Sequence, residues 1–292
     1  MPSVTAPVDP RSTWGLPAPG AMTRIADPEP LVTRVLAPNA SPMTLDGTNT
    51  HLVGEPGSGQ AVVVDPGPDD PAHLAAVEAA LAARDARVVA VLVTHHHLDH
   101  AAAAGPWSRH FGVPVAAASS AVAGPRGRLL AAGDRLRLAG TTLDVVPMPG
   151  HTADSLAFRL ASGAVLVGDS VLGRGTSVVS HPEGDLLAHL ESLRRVHDLG
   201  PAALYCGHGP ELTVDPSAVL RYLLDHRAYR ERQLLALLAD RPRTVPELVA
   251  AVYPDVAPAV LPAAAQSTRA ALVKLAGEGR VLVDGDRVAA VR

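Results

Sequence analysis

Seven consecutive residues, Thr94-His95-His96-His97-Leu98-Asp99-His100, place four imidazoles and a carboxylate directly behind an apolar run at 88–93. Crowding those groups together is costly unless a cation neutralises and orders them, so the chain must fold around this segment as a metal site. The run 88–93 reads as a strand, and on an extended exit from a strand residues two apart point the same way. His95 and His97 therefore converge, His96 faces elsewhere, and Asp99 and His100 follow where the chain turns into a helix.

Three further segments offer metal-competent side chains after apolar runs. Pro149-Gly150-His151-Thr152 follows the β-type run 142–146, Gly168-Asp169-Ser170 follows 164–167, and Cys206-Gly207-His208-Gly209 follows 203–205. Glycine beside each histidine permits tight turns aimed at one point. A fourth strand end, the run 61–64 before Asp65-Pro66-Gly67, is explained equally by an Asx turn or by a functional carboxylate. Other β-type runs lie at 31–36, 50–53, 114–117 and 155–160, and helical patterns at 71–84, 101–111 and 183–199, which together predict a layered α/β fold.

In this order the pieces resemble the metallo-β-lactamase superfamily of hydrolases, whose signature is H-x-H-x-D-H followed by separate His, Asp and His ligands. The resemblance spans about residues 30 to 215 and fills all seven ligand positions. It implies an αββα sandwich with the site at one edge between two sheets. It also implies that His95, His97 and His151 hold one metal, that Asp99, His100 and His208 hold a second, and that Asp169 bridges them. The all-nitrogen and oxygen donor set suits two Zn(II) per chain, with Mn or Fe as alternatives. Cys206 is not needed as a ligand and reads as a small buried residue. The expected chemistry is attack by a metal-bridging hydroxide, with Asp99 both ligand and hydrogen-bond acceptor that orients the nucleophile.

The segment 37–50, the Asp65-Pro66-Gly67 turn and the C-terminal pattern look more narrowly like the β-lactamase-like protein 2 subgroup, whose mammalian member is described as an endoribonuclease. One departure is Ala101-Ala102-Ala103-Ala104-Gly105, where the family often has a Gly-Gly pair after Asp-His. The resemblance implies RNA phosphodiesters or a small ester as substrate. A glyoxalase II-like thioesterase and a nucleic-acid-binding protein with a structural metal site are the competing readings.

Beyond residue 215 the texture changes. A long amphipathic segment at 218–238 precedes Thr244, which sits three residues before Glu247 in capping-box spacing. A helical stretch at 262–276 and two short β-type runs around Asp284-Gly285 complete a winged-helix-like pattern. The expected organisation is a flexible N-terminal arm over 1–30, a catalytic domain over 31–215 and the winged-helix-like domain over 216–292.

Composition limits the partners. With 47% hydrophobic and 18% charged residues the chain can build a sizeable core. Residues 1–220 carry net charge −7 and 221–292 only +3. That is slight for a reader of duplex DNA with several phosphate contacts, and the small-molecule or single-stranded RNA substrate is what the resemblance implies. No apolar run reaches the ~18 residues that a membrane-spanning helix needs. The first 30 residues include Asp9, Asp27 and Glu29 and no apolar core of a signal peptide. With a single cysteine, Cys206, the expectation is a cytoplasmic protein.

Overall fold

The computed structural model describes residues 5–291. A seven-stranded sheet is laid down in chain order, from β1 (Ile25–Glu29), β2 (Val32–Leu36), β3 (Asn49–Val53) and β4 (Gln60–Val64) to β5 (Arg87–Leu92), β6 (Val115–Ala117) and β7 (Arg128–Leu129). The second sheet has five strands, β8 (Arg135–Leu138), β9 (Thr141–Pro147), β10 (Leu156–Leu160), β11 (Val165–Gly168) and β12 (Leu204–Cys206). Pairing is antiparallel across β1 to β4 and parallel from β4 to β7, and β12 lies parallel to β11.

Alternation along the strands builds three apolar layers. Val62 and Val64 of β4 meet Leu156, Phe158 and Leu160 of β10 between the sheets. Ala61 and Val63 face outward onto α1 (Pro71–Ala83) and α3 (Ala104–Phe111), where Trp107 is buried, and Ala123 of the short α4 (Ser120–Ala123) joins the same layer. On the other outer face Ala157 and Val165 pack with Leu193 and Val196 of α5 (Leu186–Asp198). The expected αββα sandwich is the observed one. The helical pattern expected over 101–111 is split, because α2 (Leu98–Ala101) ends before α3 begins.

α6 (Pro216–Leu238) starts on the N-cap Asp215, whose side chain accepts from the Ala218 amide. Its first half packs Val219, Leu220 and Leu223 on the second sheet's helical layer. Its second half gives Leu234 and Leu238 to a separate core with α7 (Val245–Val252), α8 (Leu261–Gly277), β14 (Val281–Asp284) and β15 (Arg287–Ala290). Thr244 of β13 (Arg243–Thr244) and Glu247 form the expected capping box. Helices α7 and α8 with the three-stranded β13-β15-β14 sheet make the winged helix.

The stretch read as a loose arm over 1–30 differs in its described part; residues 1–4 lie outside the described residues. β1 pairs with β2, and Arg11 is buried, donating to the carbonyls of Leu172 at 2.8 Å and Gly175 at 2.7 Å and pairing with Asp9. A guanidinium satisfied in this way tethers the segment to the second sheet's loops. Proline-rich composition carries no sign of such a tether.

Candidate metal centre

The C-terminal ends of β4, β5, β9, β11 and β12 open at one edge of the sandwich, and each is followed by a residue of the cluster. There, His95 Nε2 lies 3.2 Å from His97 Nδ1, and His151 Nε2 lies 3.1 Å from the same atom. Beside them His100 Nε2 and His208 Nε2 are 3.3 Å apart, with Asp99 Oδ2 3.2 Å from His208 Nε2. Asp169 sits between the groups, with Oδ1 3.3 Å from His100 Nε2, and Oδ2 3.3 Å from His208 Nε2 and 3.8 Å from His151 Nε2. All seven sequence-predicted residues are brought together. The groupings His95/His97/His151, His95/His100/Asp169 and Asp99/His100/His208 each place their donor atoms within 4.8 Å.

In every histidine the other ring nitrogen is engaged. His95 Nδ1 is 3.0 Å from Thr94 Oγ1, whose own proton goes to Asp65 Oδ2 at 2.8 Å. His100 Nδ1 donates to Asp65 Oδ2 at 2.9 Å, His151 Nδ1 to the Val178 carbonyl at 2.7 Å and His208 Nδ1 to the Gly47 carbonyl at 3.1 Å. His97 Nε2 donates to Glu183 Oε1 at 3.2 Å. With those protons assigned, five lone pairs and two carboxylates face one another. Asp169 Oδ1 is buried without a hydrogen-bond partner. Ligand atoms of a tetrahedral site with bonds of ~2.0–2.1 Å lie ~3.3 Å apart, close to the nitrogen separations here.

Electrostatics agree. Burial, followed by repulsion from His100, pushes the His95 pKa well below the imidazole range, and burial lowers His151. Burial opposes a charge on His100 and His208, but Asp169 outweighs it, with Asp65 and Asp99 assisting; His208 is raised to about 9. Asp169 is held well below the carboxylate range against its burial by His208 and His100. Without a cation the carboxylates thus draw protons onto Nε2 atoms that face each other, a conflict that a shared cation removes. The backbone is shaped to the same end. A Cβ on Gly207 would lie 2.3 Å from Asp169 Oδ1 and 2.6 Å from His100 Cε1, filling the centre.

His96 points out of the cluster and is exposed; it contacts Asp154 Oδ1 at 2.7 Å and Glu183 Oε1 at 2.9 Å. Cys206 is buried in the apolar layer under α5 and α6, and burial pushes its thiol pKa up. Five contributors, the Gly47 carbonyl that holds His208 among them, are not read from the sequence as parts of the site. Asp65, weighed evenly against an Asx turn, accepts from the Thr94 amide as well as from His100. Asn49 donates to the carbonyls of Cys206 and Gly209 and so clamps the His208 turn. Glu183 and the Val178 carbonyl come from the segment joining β11 to α5. Only the strand-end position of Asp65 gave any signal in advance.

A metallo-β-lactamase superfamily model matches residues 43–208, and a β-lactamase-associated winged helix domain model matches 244–289. The β-lactamase-like protein 2 homolog of Drosophila melanogaster is 30% identical over 284 residues, covering 90% of this chain and 92% of that protein. An atrochrysone carboxyl ACP thioesterase of Aspergillus chevalieri is 32% identical over 262 residues, covering 86% and 83%. The crystal structure of a metallo-β-lactamase family protein from Thermus thermophilus superposes with a TM-score of 0.75 at 27% identity, over 90% of this chain and 99% of that one. On sequence, fold and the meeting of its strand-end histidines, the chain belongs to the metallo-β-lactamase superfamily and is a hydrolase.

Proposed function

We propose that this hydrolase is dinuclear and cleaves a small ester or thioester. His95, His97 and His151 would hold one cation and Asp99, His100 and His208 the other, with Asp169 a ligand within reach of both. The observation that carries the reading is the convergence on one centre of five histidine nitrogens, each from a ring whose other nitrogen is engaged elsewhere, and two carboxylates. Zn(II) suits the donors, with Mn or Fe as alternatives. Bound there, the metal supplies Lewis acidity and makes water nucleophilic near neutral pH.

The chain's own groups supply the rest. Asp99 is the more open of the two carboxylates, with 31% of its side chain exposed against 12% for Asp169. Burial works against its charge, but the hydrogen bond from His208 and the charge of His100 keep its carboxyl below the ordinary range. Ionised and open to solvent, it is placed to accept a hydrogen bond from the attacking water and so orient it. Thr94, Asp65, Gly47 and Val178 hold the rings in register.

One crevice beside the cluster offers little to hold single-stranded RNA. A crevice of about 430 Å³ runs between residues 181–187, which include Glu183, and α8. Lys274 is its only lysine or arginine, and its Nζ is already held by Glu231 at 3.0 Å and Glu278 at 2.7 Å. A polyanion would find acidic groups there and no unpaired ammonium, whereas the larger crevice of about 1200 Å³ beside His96 and Leu98 carries Arg109 and Arg126, so the preference for an ester or thioester rests on the relatives. Those relatives include thioesterases. The division into a catalytic unit over 31–215 and a second over 216–292, and a cytoplasmic setting, belong to the same proposal. No helix among the described residues is long and apolar enough to cross a membrane. The test is a screen of metal-loaded protein on thioesters, esters, lactones and single-stranded RNA, with Asp99→Asn as control. Thioester or ester turnover that Asp99→Asn abolishes is the expected result, whereas cleavage of RNA alone makes the phosphodiesterase reading the right one.

A further inference from the structure

Two of the three imidazoles at His95, His97 and His151 are oriented by one short stretch of chain, residues 177–183. The Val178 carbonyl holds His151 Nδ1 at 2.7 Å, and Glu183 Oε1 holds His97 Nε2 at 3.2 Å. The stretch is itself fastened from the C-terminal side. Val179 is fully buried in the core that contains Leu234, Leu238 and the winged helix. Arg227 of α6, 7% exposed, donates from Nη2 to the Ser177 carbonyl at 2.5 Å. Among the described residues Arg227 has no carboxylate within ion-pair distance, unlike Arg11, Arg34 and Arg174, which are each paired with one. A buried guanidinium without a counter-charge is destabilising unless a particular hydrogen bond needs it, and here that bond ends one residue from Val178.

We propose that Arg227 is a positioning residue for the metal centre, and that α6 with the winged helix supports the three-histidine site selectively through residues 177–183. The inference rests on the ligand assignment proposed above. Selectivity follows from where the other site's supports lie. His100 is held by Asp65 just after β4 and His208 by the Gly47 carbonyl before β3, both on loops of the N-terminal sheet and neither hydrogen-bonded to 177–183 among the described residues. Replacing a partner that orients a ligand typically lowers metal affinity about 10- to 100-fold, so loosening 177–183 acts on one cation and leaves the other.

The experiment follows release of Zn(II) from the loaded full-length protein to a chromogenic chelator, with total metal measured beforehand and urea unfolding measured alongside. Wild type is expected to hold two metals. Arg227→Met should release one of them at least ~10-fold faster, with the second at the wild-type rate, and Arg227→Lys, which keeps one donor for the Ser177 carbonyl, should restore much of the difference. Glu183→Ala removes the other contact at a half-exposed position that does not threaten folding, and should give the same one-metal defect. Wild-type release rates for both metals in Arg227→Met and Glu183→Ala overturn the proposal and leave the ligand assignment standing, and so does equal acceleration of both metals. A wild-type protein that retains no metal overturns the ligand assignment and the proposal with it.

Discussion

Replacing Asp65 by Asn perturbs the orientation of His100 directly and of His95 through Thr94, and little else. Asp65 is 2% exposed and has φ 53°, a left-handed conformation in which Asn and Asp are the best-tolerated side chains after glycine, so the backbone keeps its path. Its Oδ1 accepts from the Thr94 amide at 2.7 Å, a bond that the Asn oxygen retains. Its Oδ2 accepts from Thr94 Oγ1 at 2.8 Å and His100 Nδ1 at 2.9 Å. The Asn amide places donors where both acceptances occurred. His100 then moves its proton to Nε2, the nitrogen 3.3 Å from His208 Nε2, or leaves Nδ1–H facing another donor. Losing a charge-assisted hydrogen bond costs about 1.5–3 kcal/mol, which agrees with the roughly 10- to 100-fold loss of metal affinity typical of removing such a partner. Chelator competition should therefore show the cation at Asp99/His100/His208 bound about 10- to 100-fold more weakly, with circular dichroism unchanged. Affinity within threefold of wild type would refute the assignment of Asp65 as the group that fixes the His100 tautomer.

Gly207→Ala should leave the protein folded yet unable to hold its full metal complement, since the new methyl would lie 2.3 Å from Asp169 Oδ1; elemental analysis decides. Stripping the metal should lower stability by about 4 kcal/mol relative to protein in free Zn(II) at about a thousand times its Kd, read from urea unfolding. Acid should destabilise the fold independently of the metal. Burial lowers His51 to about 3, and burial assisted by nearby arginines lowers His73 and His226 to about 4. Their folded pKa values lie below the unfolded 6.5, so the stability they contribute is complete above about pH 6.5 and is lost as pH falls from there toward about 4 for His73 and His226 and about 3 for His51. Together they give a slope of up to ~4 kcal/mol per pH unit, and His226→Gln should flatten urea-midpoint plots between about pH 6.5 and 5. Ending the chain at Asp215 should yield an insoluble product, because it strips Val219, Leu220 and Leu223 from Leu193 and Val196; size-exclusion chromatography reads this directly.

The chain's local chemistry determined the outline of this protein. Valine-rich runs specify strands buried on both faces, and the two-residue period of an extended segment places His95 and His97 together and His96 outside. Side-chain type at strand ends marks His151, Asp169 and His208, and Thr244 with Glu247 announces the start of α7. These features depend on near neighbours, so they are legible one segment at a time. Tertiary structure decided how the ligands are held. Gly47 and Val178 act through backbone carbonyls, which every residue has and no residue type advertises. Asp65 and Glu183 acquire their roles only because histidines 35 and 86 residues away from them in sequence arrive at the same edge. The burial of Arg11, the strand at Ile25–Glu29 and the span of α6 across two cores also depend on which surfaces meet. A hydrogen bond between distant segments is set by packing of the layers that carry them, and that information is spread over the whole core.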